Sequence, residues 1–517
     1  MRSALLPPVL LLLLPSLLGF GLGCSSTKFP YSPCESNSQC REAFGRSWTC
    51  GDDQLCSEST ALSRCSSQPP GLLGDLPSYE DRILIGSIFD QSDFEIMVKA
   101  ARLAVLNVNT RNGLDATLFG IVECTNEANP SFDNLNENEA TAAAGTYLSD
   151  VLGIPIIVGP ATSTRTEVAY SSDVGFGTLH ITPSATSPSL TDLDGTSSTD
   201  EAPGLLWRTA PPDSLQGQVI AQEMMGLGVT NVGIVAQIGA YPESLAEVFQ
   251  QHFTGPGVDS QLELYTEVAD LGPLITQFND PSYDGVLVIS PITSDMAAFL
   301  NGASASQFSY DEKKVIFLPD GAFDVQLIEE SINAISLFPK IRGTVPATPS
   351  GLAYNNFVAA YRSQFNGEDP SDFGFSAHAY DASWLAIAGA AWSHYQEGAI
   401  TGLGAARGLR KLSDSSGPSY DLSQTDWNSI TAAFEEGTAI DVIGASGPLN
   451  YDLETGEMTS PIDVWTVECS GTTASECNIV PQYCVDLSES PSADCCTDPV
   501  AGCDEPGGGD DDDSAGR

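Results

Sequence analysis

The sequence contains few basic residues and very few histidines. Its 517 residues include 20 Lys and Arg against 68 Asp and Glu, for a net charge of −48, and only 4 His. A surface this acidic repels phosphate backbones and anionic lipids, which argues against nucleic-acid binding. The charge is also what a general adaptation for solubility produces, so by itself it does not indicate a function.

Long hydrophobic runs are absent after the N-terminus, and no transmembrane helix is predicted there. The first residues read MRSALLPPVLLLLLPSLLGFGLGCSS, with an apolar run from Ala4 to Phe20 and small residues before Cys24. This pattern predicts a secretory signal over residues 1–23. The ending GLGC resembles a bacterial lipobox, which implies lipidation of Cys24. Gly21 departs from that pattern, and ordinary cleavage near the same point is the alternative.

Cysteine pairs with the CxxC spacing of zinc sites are also absent. With Cys24 set aside, twelve of the 13 cysteines remain, and export predicts that they form disulfides. Five lie between residues 34 and 65, six lie between residues 469 and 503, and Cys124 stands alone. The odd number in the first group requires a bridge that leaves it, and Cys124 is a candidate partner.

Short apolar segments alternate with helical patterns from Arg82 to Val467. Segments of four to seven residues bounded by turn residues predict buried parallel strands, and helices are predicted at Ser214–Leu227 and Tyr241–Phe253. The predicted strands are ILIGSI, ATLFGIV, IPIIVG, VGIVA, GVLVI and VIFL. This alternation indicates an α/β fold with doubly wound parallel sheets, and its length suits two lobes.

Motifs for catalysis or metal binding are missing. The sequence has no GxSxG elbow, P-loop or HExxH, and no GxGxxG after a strand. The acidic segment DLDGTSSTDE (192–201) lacks the third acid and the final glutamate of a calcium loop, so a polar surface loop is the better interpretation. Ser446 in GASGP has no histidine in a supporting motif. We therefore expect no catalytic residue, no metal and no cofactor, and the protein is not expected to be an enzyme.

Hydroxyl-rich segments follow two of the predicted strands, PATSTRTEVAY after IPIIVG and TPSATSPSLT after LHI. Ligands of open α/β sheets bind outside the carboxyl ends of strands. Helices starting at both segments would offer free N–H groups and partial positive charge to a carboxylate, although Ser and Thr are also the commonest helix N-caps. Asp320 follows VIFL and is suited to an ammonium, with an ordinary Asp-Gly turn as the alternative. Tyr241 follows VGIVA, and an aromatic side chain there can line a cleft or merely cap a core.

The region from about Arg82 to Val467 resembles the type I periplasmic solute-binding proteins, in the leucine/isoleucine/valine-binding branch. The resemblance implies two lobes joined by three crossings that close on a ligand by hinge motion. It is carried by seven segments in family order: VGPATSTRTEVA, HITPSATSPSLT, LLWRTAPPDSLQGQVIAQ, VGIVAQIGAYPESLAEVFQ, YNNFVAAYRSQFNGEDP, YDASWLAIAGA and GASGPLNYDLETGE.

The resemblance also implies roles for single residues on the ligand's backbone groups. Ser163 resembles the hydroxyl that binds the ligand α-carboxylate. Ser184 matches the position whose backbone carbonyl receives the α-ammonium, and Thr186 matches a residue that contacts both groups. Asp320 stands where the family has an acid for the α-ammonium, one methylene shorter than the usual glutamate.

Two aromatic positions match the family near the ligand, and two features depart from it. Tyr241 matches an aromatic of the second lobe that reaches the ligand, and Phe375 matches one of the first lobe beside the side-chain pocket. Ile292 stands where branched-chain receptors have a tyrosine. The first strand reads IGSIFDQSDFE, without the Ser-Gly-Pro loop that covers the side-chain pocket.

The resemblance and the composition together give an expected domain order. Small disulfide-rich modules flank the two lobes. The expected ranges are 1–23 signal peptide, 24–66 cysteine-rich module, 67–81 linker, 82–210 with 348–446 first lobe, 211–347 with 447–468 second lobe, 469–503 cysteine-rich segment and 504–517 disordered acidic tail.

The leading hypothesis is an exported solute-binding lipoprotein that captures an amino acid or similar small molecule for ABC-type import. The expected partners are that ligand and an ABC permease. The protein should be monomeric and contact the membrane only through its lipid, and Ser25 after Cys24 favours the outer membrane. The alternative is a sensory or structural ligand-binding lipoprotein without a role in transport, which the terminal modules would suit.

Overall fold

A computed structural model describes residues 33–195, 199–306, 308, 314–347 and 349–487. The predicted signal peptide and Cys24, the three last cysteines and the acidic tail lie outside these ranges. Within them, no helix combines the length and the apolar character needed to span a bilayer.

The described chain begins with a small disulfide-bonded module. It contains α1 (Asn37–Phe44) and an antiparallel pair of strands, β1 (Trp48–Cys50) and β2 (Cys56–Glu58). Disulfides join Cys34 to Cys50 and Cys40 to Cys56. The fifth early cysteine, Cys65, is bonded to Cys124. The odd count predicted a bridge that leaves the first group, and Cys124 was the candidate partner.

The first lobe is built on a six-stranded sheet in which every neighbouring pair is parallel except the first. Its order along the sheet is β3-β5-β4-β6-β7-β8. In chain order the elements are β3 (Cys65–Gln68), β4 (Ile83–Phe89), α2 (Glu95–Asn109), β5 (Phe119–Thr125), α3 (Glu137–Thr146), β6 (Ile156–Val158), α4 (Ser163–Asp173), β7 (Leu179–Thr182) and β8 (Leu206–Arg208).

The second lobe has a seven-stranded sheet whose order begins with five parallel strands, β10-β9-β11-β12-β13. Buried side chains pack on both of its faces. The elements are α5 (Asp213–Gly226), β9 (Asn231–Gln237), α6 (Ala240–His252), β10 (Asp259–Tyr265), α7 (Leu271–Phe278), β11 (Gly285–Ile289), α8 (Thr293–Ser304), β12 (Val315–Leu318), α9 (Val325–Glu330) and β13 (Ile341–Pro346).

The chain then returns to the first lobe and crosses once more. The returning elements are α10 (Gly351–Gln364), α11 (Ser376–Glu397), α12 (Gly402–Leu409), β14 (Ser419–Asp421), α13 (Trp427–Glu435), β15 (Asp441–Gly444), β16 (Gly447–Pro448), β17 (Tyr451–Asp452) and β18 (Glu457–Met458). The last two strands, β19 (Ile462–Cys469) and β20 (Cys477–Val485), complete the second sheet in antiparallel orientation. The α/β two-lobed fold with three crossings is therefore confirmed, with antiparallel strands added at sheet edges.

Helix α11 forms the centre of the first lobe. Residues 376–393 are all buried, which fits a helix that is apolar on every side and rich in alanine. Small residues let α12 approach it closely, since a Cβ on Gly389 would lie 2.9 Å from the carbonyl oxygen of Ala405.

Residues 67–81 do not form the expected linker, because they pack on the first lobe. Residues of β3 pair with β5 at the edge of the first sheet, and Leu72 and Leu76 are buried in the first lobe. The Pro, Gly and Ser content predicted a linker, but the leucines bury enough apolar surface to fix the segment on the lobe.

Two boundaries near the C-terminus are also corrected. Leu449, Tyr451 and Met458 belong to the core of the first lobe, so the second lobe resumes at Ile462 instead of residue 447. The segment that begins at Cys469 is not a separate module in its described part, because β20 pairs along the whole of β19. Cys469 and Cys477 form a disulfide across this hairpin.

Candidate functional site

A cavity of about 120 Å³ lies between the two lobes, at the carboxyl ends of their strands. Five of the six residues that the sequence analysis selected line it, and Thr186 does not. Those five are Ser163, Ser184, Tyr241, Asp320 and Phe375. The cavity lies where ligands bind in open α/β sheets.

The start of helix α4 forms one wall. Thr162 and Ser163 line the cavity, and the N-cap residue Thr162 makes no side-chain capping bond. The Ser163 hydroxyl oxygen accepts a hydrogen bond from the Ser187 backbone N–H at 3.1 Å, which leaves its own proton available. An uncapped helix N-terminus with a hydroxyl beside it can bind an anion favourably.

The second hydroxyl-rich segment is hydrogen-bonded to the first one. The Ser184 hydroxyl donates to the Ala161 carbonyl at 2.7 Å. The buried Thr186 hydroxyl donates to Asp213 Oδ2 at 3.0 Å, behind the cavity wall. The expectation of a second helix start here is corrected, because only a short 3-10 turn, Pro188–Leu190, follows β7.

Asp320 and Tyr241 form the facing wall from the second lobe. Asp320 lies in a 3-10 turn directly after β12, and Tyr241 lies in the first turn of α6. The Tyr241 hydroxyl donates to Asp320 Oδ1, and so does the Gly321 backbone N–H at 2.9 Å. Burial raises the pKa of Asp320 to about 6, and burial raises the pKa of Tyr241 too, followed by the nearby Asp320 and Asp213.

Asp213 and Gln216, at the start of α5, belong to the surroundings of the cavity but were not predicted from the sequence. Burial, and then repulsion from Asp320, raises the pKa of Asp213 well above its usual range. Gln216 hydrogen-bonds Asp320. Asp213 Oδ1 and Gln216 Oε1 are buried without a hydrogen-bond partner among the described residues. The Pro-Pro-Asp sequence at a predicted helix start, directly after the first crossing, is the signal that could have identified Asp213.

Arg208, also missed, fixes the second hydroxyl-rich segment in place. Its buried guanidinium donates to the Ala185 and Ser187 carbonyls at 3.3 and 3.0 Å. It also forms an ion pair with Glu457. Arg208 and Glu457 precede two of the crossings, so this ion pair joins the binding segment to the hinge.

The two lobes touch directly beside the cavity. The Ser187 hydroxyl of the first lobe is 2.9 Å from the Ser244 hydroxyl and donates to the Ala240 carbonyl at 3.1 Å. The Ala240 backbone N–H donates to Thr164 Oγ1 at 3.0 Å. These contacts connect α6 of the second lobe to the first lobe at the edge of the cavity.

Aromatic and aliphatic side chains line the remaining space. Phe94, Phe323, Phe373 and Phe375 contribute rings, and Ile292 lies among them. Phe94 and Phe373 meet edge to face with ring centroids 6.3 Å apart. These side chains can hold the apolar part of a ligand.

Three further carboxyl groups line the same cavity. Asp93 comes from the loop between β4 and α2 in the first lobe, and Asp324 and Glu330 come from the second lobe. Asp93 and Glu330 are exposed, whereas Asp324 is buried and accepts a hydrogen bond from the Gln326 N–H at 2.9 Å. None of the cavity-lining residues in the described ranges is lysine or arginine.

The other chemical candidates have structural partners. The Ser446 hydroxyl donates to the buried Asp381 at 2.6 Å, which is not the arrangement of an activated nucleophile. In the acidic segment, Asp194 accepts the Leu205 and Leu206 backbone N–H groups at 2.9 and 3.0 Å. This carboxyl group therefore helps to hold the backbone before β8.

Comparisons with known proteins agree with this architecture. The family described as "Receptor family ligand binding region" matches residues 96–468, and no curated protein sequence matches the chain. A branched-chain amino-acid transporter binding protein, LivJ from Streptococcus pneumoniae in complex with isoleucine, is 20% identical with a TM-score of 0.57, covering 78% of this chain and 100% of its own. A leucine-binding protein, LivK from Thermotoga maritima, is 16% identical with a TM-score of 0.58, at 78% and 99% coverage.

One further similar structure binds a different ligand class. A solute-binding protein of an ABC transporter from Rhodopseudomonas palustris, in complex with 3,4-dihydroxybenzoic acid, is 15% identical with a TM-score of 0.58. The match covers 79% of this chain and 98% of that protein. Proteins with this fold therefore include binders of amino acids and of aromatic acids.

Proposed function

We propose that this chain, which belongs to the receptor ligand-binding family, is an extracytoplasmic solute-binding protein that captures an α-amino acid between its lobes for ABC-type import. One observation carries this proposal. The cavity has an uncapped helix N-terminus and hydroxyl groups on one wall and a buried carboxyl group on the other. These are the complementary groups for the two ends of a zwitterion.

The α-carboxylate is assigned to the first-lobe wall. The free N–H groups at the start of α4 and the Ser163 hydroxyl are donors, and the partial positive charge of the helix N-terminus favours an anion there. Ser184 also lines the cavity, and its backbone carbonyl is assigned to the α-ammonium. Thr186 supports this wall from behind through its bond to Asp213.

The α-ammonium is assigned to Asp320. Tyr241, Gly321 and Gln216 already orient this carboxyl group, so little side-chain entropy is lost when a ligand binds. A hydrogen bond to a charged group contributes about 1.5–3 kcal/mol. Several such bonds in a closed cleft suffice for a micromolar dissociation constant, which corresponds to about −8 kcal/mol.

The proposal includes a lipid anchor at Cys24 and delivery to an ABC permease. The sequence GLGC supports the anchor. A Cys24→Ala variant should appear in the soluble extracytoplasmic fraction, whereas the parent chain, labelled with radioactive fatty acid, should fractionate with the outer membrane. Retention of the label in the variant would refute the anchor without affecting the cleft.

Titration calorimetry of the mature chain against the standard amino acids tests the binding function. We expect at least one amino acid to bind, and Asp320→Asn to weaken its binding by about 10- to 100-fold, the loss of one charge-assisted bond. Ser163→Ala should weaken it in the same direction. Glu247→Gln, which changes an exposed acid of α6 away from the cavity, is the control and should bind as the parent does. No binding, or binding indifferent to Asp320→Asn, would refute the proposal.

A further inference from the structure

Two buried oxygen atoms near Asp320 lack a hydrogen-bond donor among the described residues. They are Asp213 Oδ1 and Gln216 Oε1, and the two residues are 1% and 3% exposed. A buried acceptor without a donor costs free energy. The two oxygens therefore require a hydrogen atom between them.

We infer that Asp213 is a positioning residue for Asp320. Its carboxyl group is protonated in the folded protein and donates to the Gln216 amide oxygen, which directs the Gln216 amide N–H groups at Asp320. The inference rests on the proposed function, since Asp320 is the carboxyl group assigned to the α-ammonium of the ligand.

The helix brings the two side chains together. Asp213 is the first residue of α5, and Gln216 follows three positions later. Side chains with this spacing are neighbours on one face of a helix, with Cβ atoms about 5–6 Å apart. A protonated carboxyl group can donate, whereas the ionised form can only accept. One proton on Asp213 Oδ1 therefore supplies the donor that Gln216 Oε1 lacks and leaves neither oxygen unpaired.

Donors are distributed unequally between the two carboxyl groups. Asp320 accepts hydrogen bonds from the Tyr241 hydroxyl, the Gly321 N–H and the Gln216 amide. For Asp213, the donor among the described side chains is the Thr186 hydroxyl, at 3.0 Å. Hydrogen bonds to the charged form of a carboxyl group favour ionisation. The negative charge therefore belongs on Asp320 and the proton on Asp213.

The charged and titratable groups that face Asp213 agree with this assignment. Within the described ranges they are Asp320 from the turn after β12, Tyr241 from α6 and Arg208 from β8. Burial, and then repulsion from Asp320, raises the pKa of Asp213 well above its usual range. The positive charge of Arg208 opposes this shift, but its guanidinium is already paired with Glu457.

These hydrogen bonds connect the two lobes. The Thr186 hydroxyl of the first lobe donates to Asp213, and the Thr186 carbonyl accepts the Asp213 backbone N–H at 2.8 Å. The bond from Asp213 to Gln216 continues this connection to Asp320 in the second lobe. The orientation of the carboxylate proposed for the α-ammonium therefore depends on a contact with the opposite lobe.

Infrared spectroscopy of the ligand-free mature chain tests where the proton lies. Near neutral pH, the difference spectrum between the parent and Asp213→Asn should contain the carbonyl stretch of a protonated carboxylic acid, which the variant lacks. Asp52→Asn, a change at an exposed aspartate of the N-terminal module, is the matched control and should remove no such band. This measurement does not depend on ligand binding.

Calorimetry tests the positioning role, with whichever of the standard amino acids binds most tightly. Asp213→Ala and Gln216→Met should each weaken binding by about tenfold, because Asp320 loses an oriented donor. Asp213→Asn supplies an amide N–H in place of the acid O–H and should recover most of the affinity that Asp213→Ala loses. Gln222→Met, the same change at an exposed glutamine of α5, is the matched control and should bind as the parent does.

The pH dependence of affinity separates positioning from a purely structural effect. Gln216→Met removes a donor that stabilises ionised Asp320, so affinity should begin to fall at a higher pH than in the parent. Asp213→Asn should keep the pH dependence of the parent. If Asp213 were ionised, this substitution would remove a negative charge beside Asp320 and move the fall in affinity to lower pH.

The outcomes distinguish this inference from the proposed function. A parent spectrum without the acid band near neutral pH overturns the inference, since Asp213 is then ionised and another donor, such as a buried water, satisfies the two oxygens. A shift of the pH dependence to lower pH in Asp213→Asn, or no recovery of affinity over Asp213→Ala, overturns it as well. Both results leave the proposed function standing. Failure of every standard amino acid to bind overturns the proposed function, and the infrared band still decides where the proton lies.

Discussion

At the scale of single residues, Asp320 and Asp213 set how the site responds to pH. Both carboxyl groups are buried, and both have raised pKa values, to about 6 for Asp320 and well above the usual range for Asp213. Of the two, Asp320 is the one that lines the cavity. Its carboxylate is the group that an α-ammonium would bind.

Ligand affinity should fall as the pH drops below about 6. Protonation of Asp320 removes the charge that binds the ammonium, and the loss approaches tenfold per pH unit below its pKa. Calorimetric titration between pH 7.5 and pH 5 measures this. Asp320→Asn should bind weakly with no such slope, and parent affinity that stays constant down to pH 5 would contradict the assignment.

The ligand-free protein should show the opposite trend in stability. A raised carboxyl pKa means that the folded chain holds a proton that the unfolded chain has already released. The contribution of Asp320 to the free energy of unfolding is therefore highest below the ordinary pKa of an aspartate. It falls as the pH rises from about 4 to about 6. Urea unfolding across this range measures it, and Asp320→Asn should reduce the fall.

Thr186 supports the site through Asp213. Thr186→Val keeps the shape of the side chain but leaves a buried carboxyl group without its donor, so we expect a loss of about 1–3 kcal/mol in the free energy of unfolding. Ser163→Ala, which removes a hydroxyl lining the cavity, should cost less stability and more ligand affinity. Denaturant unfolding measures the loss of stability of both variants, and calorimetry measures their loss of affinity. A larger loss of affinity and a smaller loss of stability for Thr186→Val would place Thr186 in direct contact with the ligand.

Single residues of the site were predictable where local pattern and family order agreed. Ser163, Ser184, Tyr241 and Asp320 follow apolar strands, and parallel strands bring their carboxyl ends together. Asp213 was not predictable from a strand end, because it lies at a helix start just after a crossing. The Pro-Pro-Asp pattern marks its helix start, but its contact with the site depends on how the second lobe folds back on the first.

At the scale of elements, two disulfides should stabilise unequally. Cys65 and Cys124 are separated by 59 residues, and Cys469 and Cys477 by 8. In the chain-entropy treatment the longer loop contributes roughly 4 kcal/mol and the shorter roughly 2.5 kcal/mol. The paired variants Cys65→Ser/Cys124→Ser and Cys469→Ser/Cys477→Ser test this by denaturant unfolding. Equal losses, or a larger loss for the short loop, would contradict it.

The six predicted strands and the two predicted helices form, but other strands were not predicted, among them β13 and β19 inside the second sheet. All six apolar segments form strands in the predicted places, since each is bounded by turn residues. Edge strands β3 and β20 were missed because their residues alternate with Ser, Pro and Cys and bury only part of their side chains. From composition alone, the segment of β3 is therefore assigned to a linker and that of β20 to a separate module. The two strands become evident only from their pairing, β3 with β5 and β20 with β19.

At the scale of the whole molecule, ligand should favour the closed arrangement of the lobes. Contacts such as Ser187 with Ser244 form across the cleft, and a ligand held by both walls adds to them. Small-angle X-ray scattering should show a smaller radius of gyration with ligand, and ligand at 100 times its dissociation constant should add about 2.7 kcal/mol to the free energy of unfolding. Asp320→Asn should show neither effect at the same concentration, and an unchanged radius for the parent would argue against closure.

Arg208 connects the chain near the crossings to the second hydroxyl-rich segment beside the cavity. One guanidinium holds the carbonyls of Ala185 and Ser187 and, through Glu457, the chain just before the last crossing. We therefore expect a rotation of the second lobe about the crossings to move this segment, whose Ser187 N–H donates to Ser163, together with the Arg208 side chain. The relative position of the lobes and the shape of the first-lobe wall should then change together.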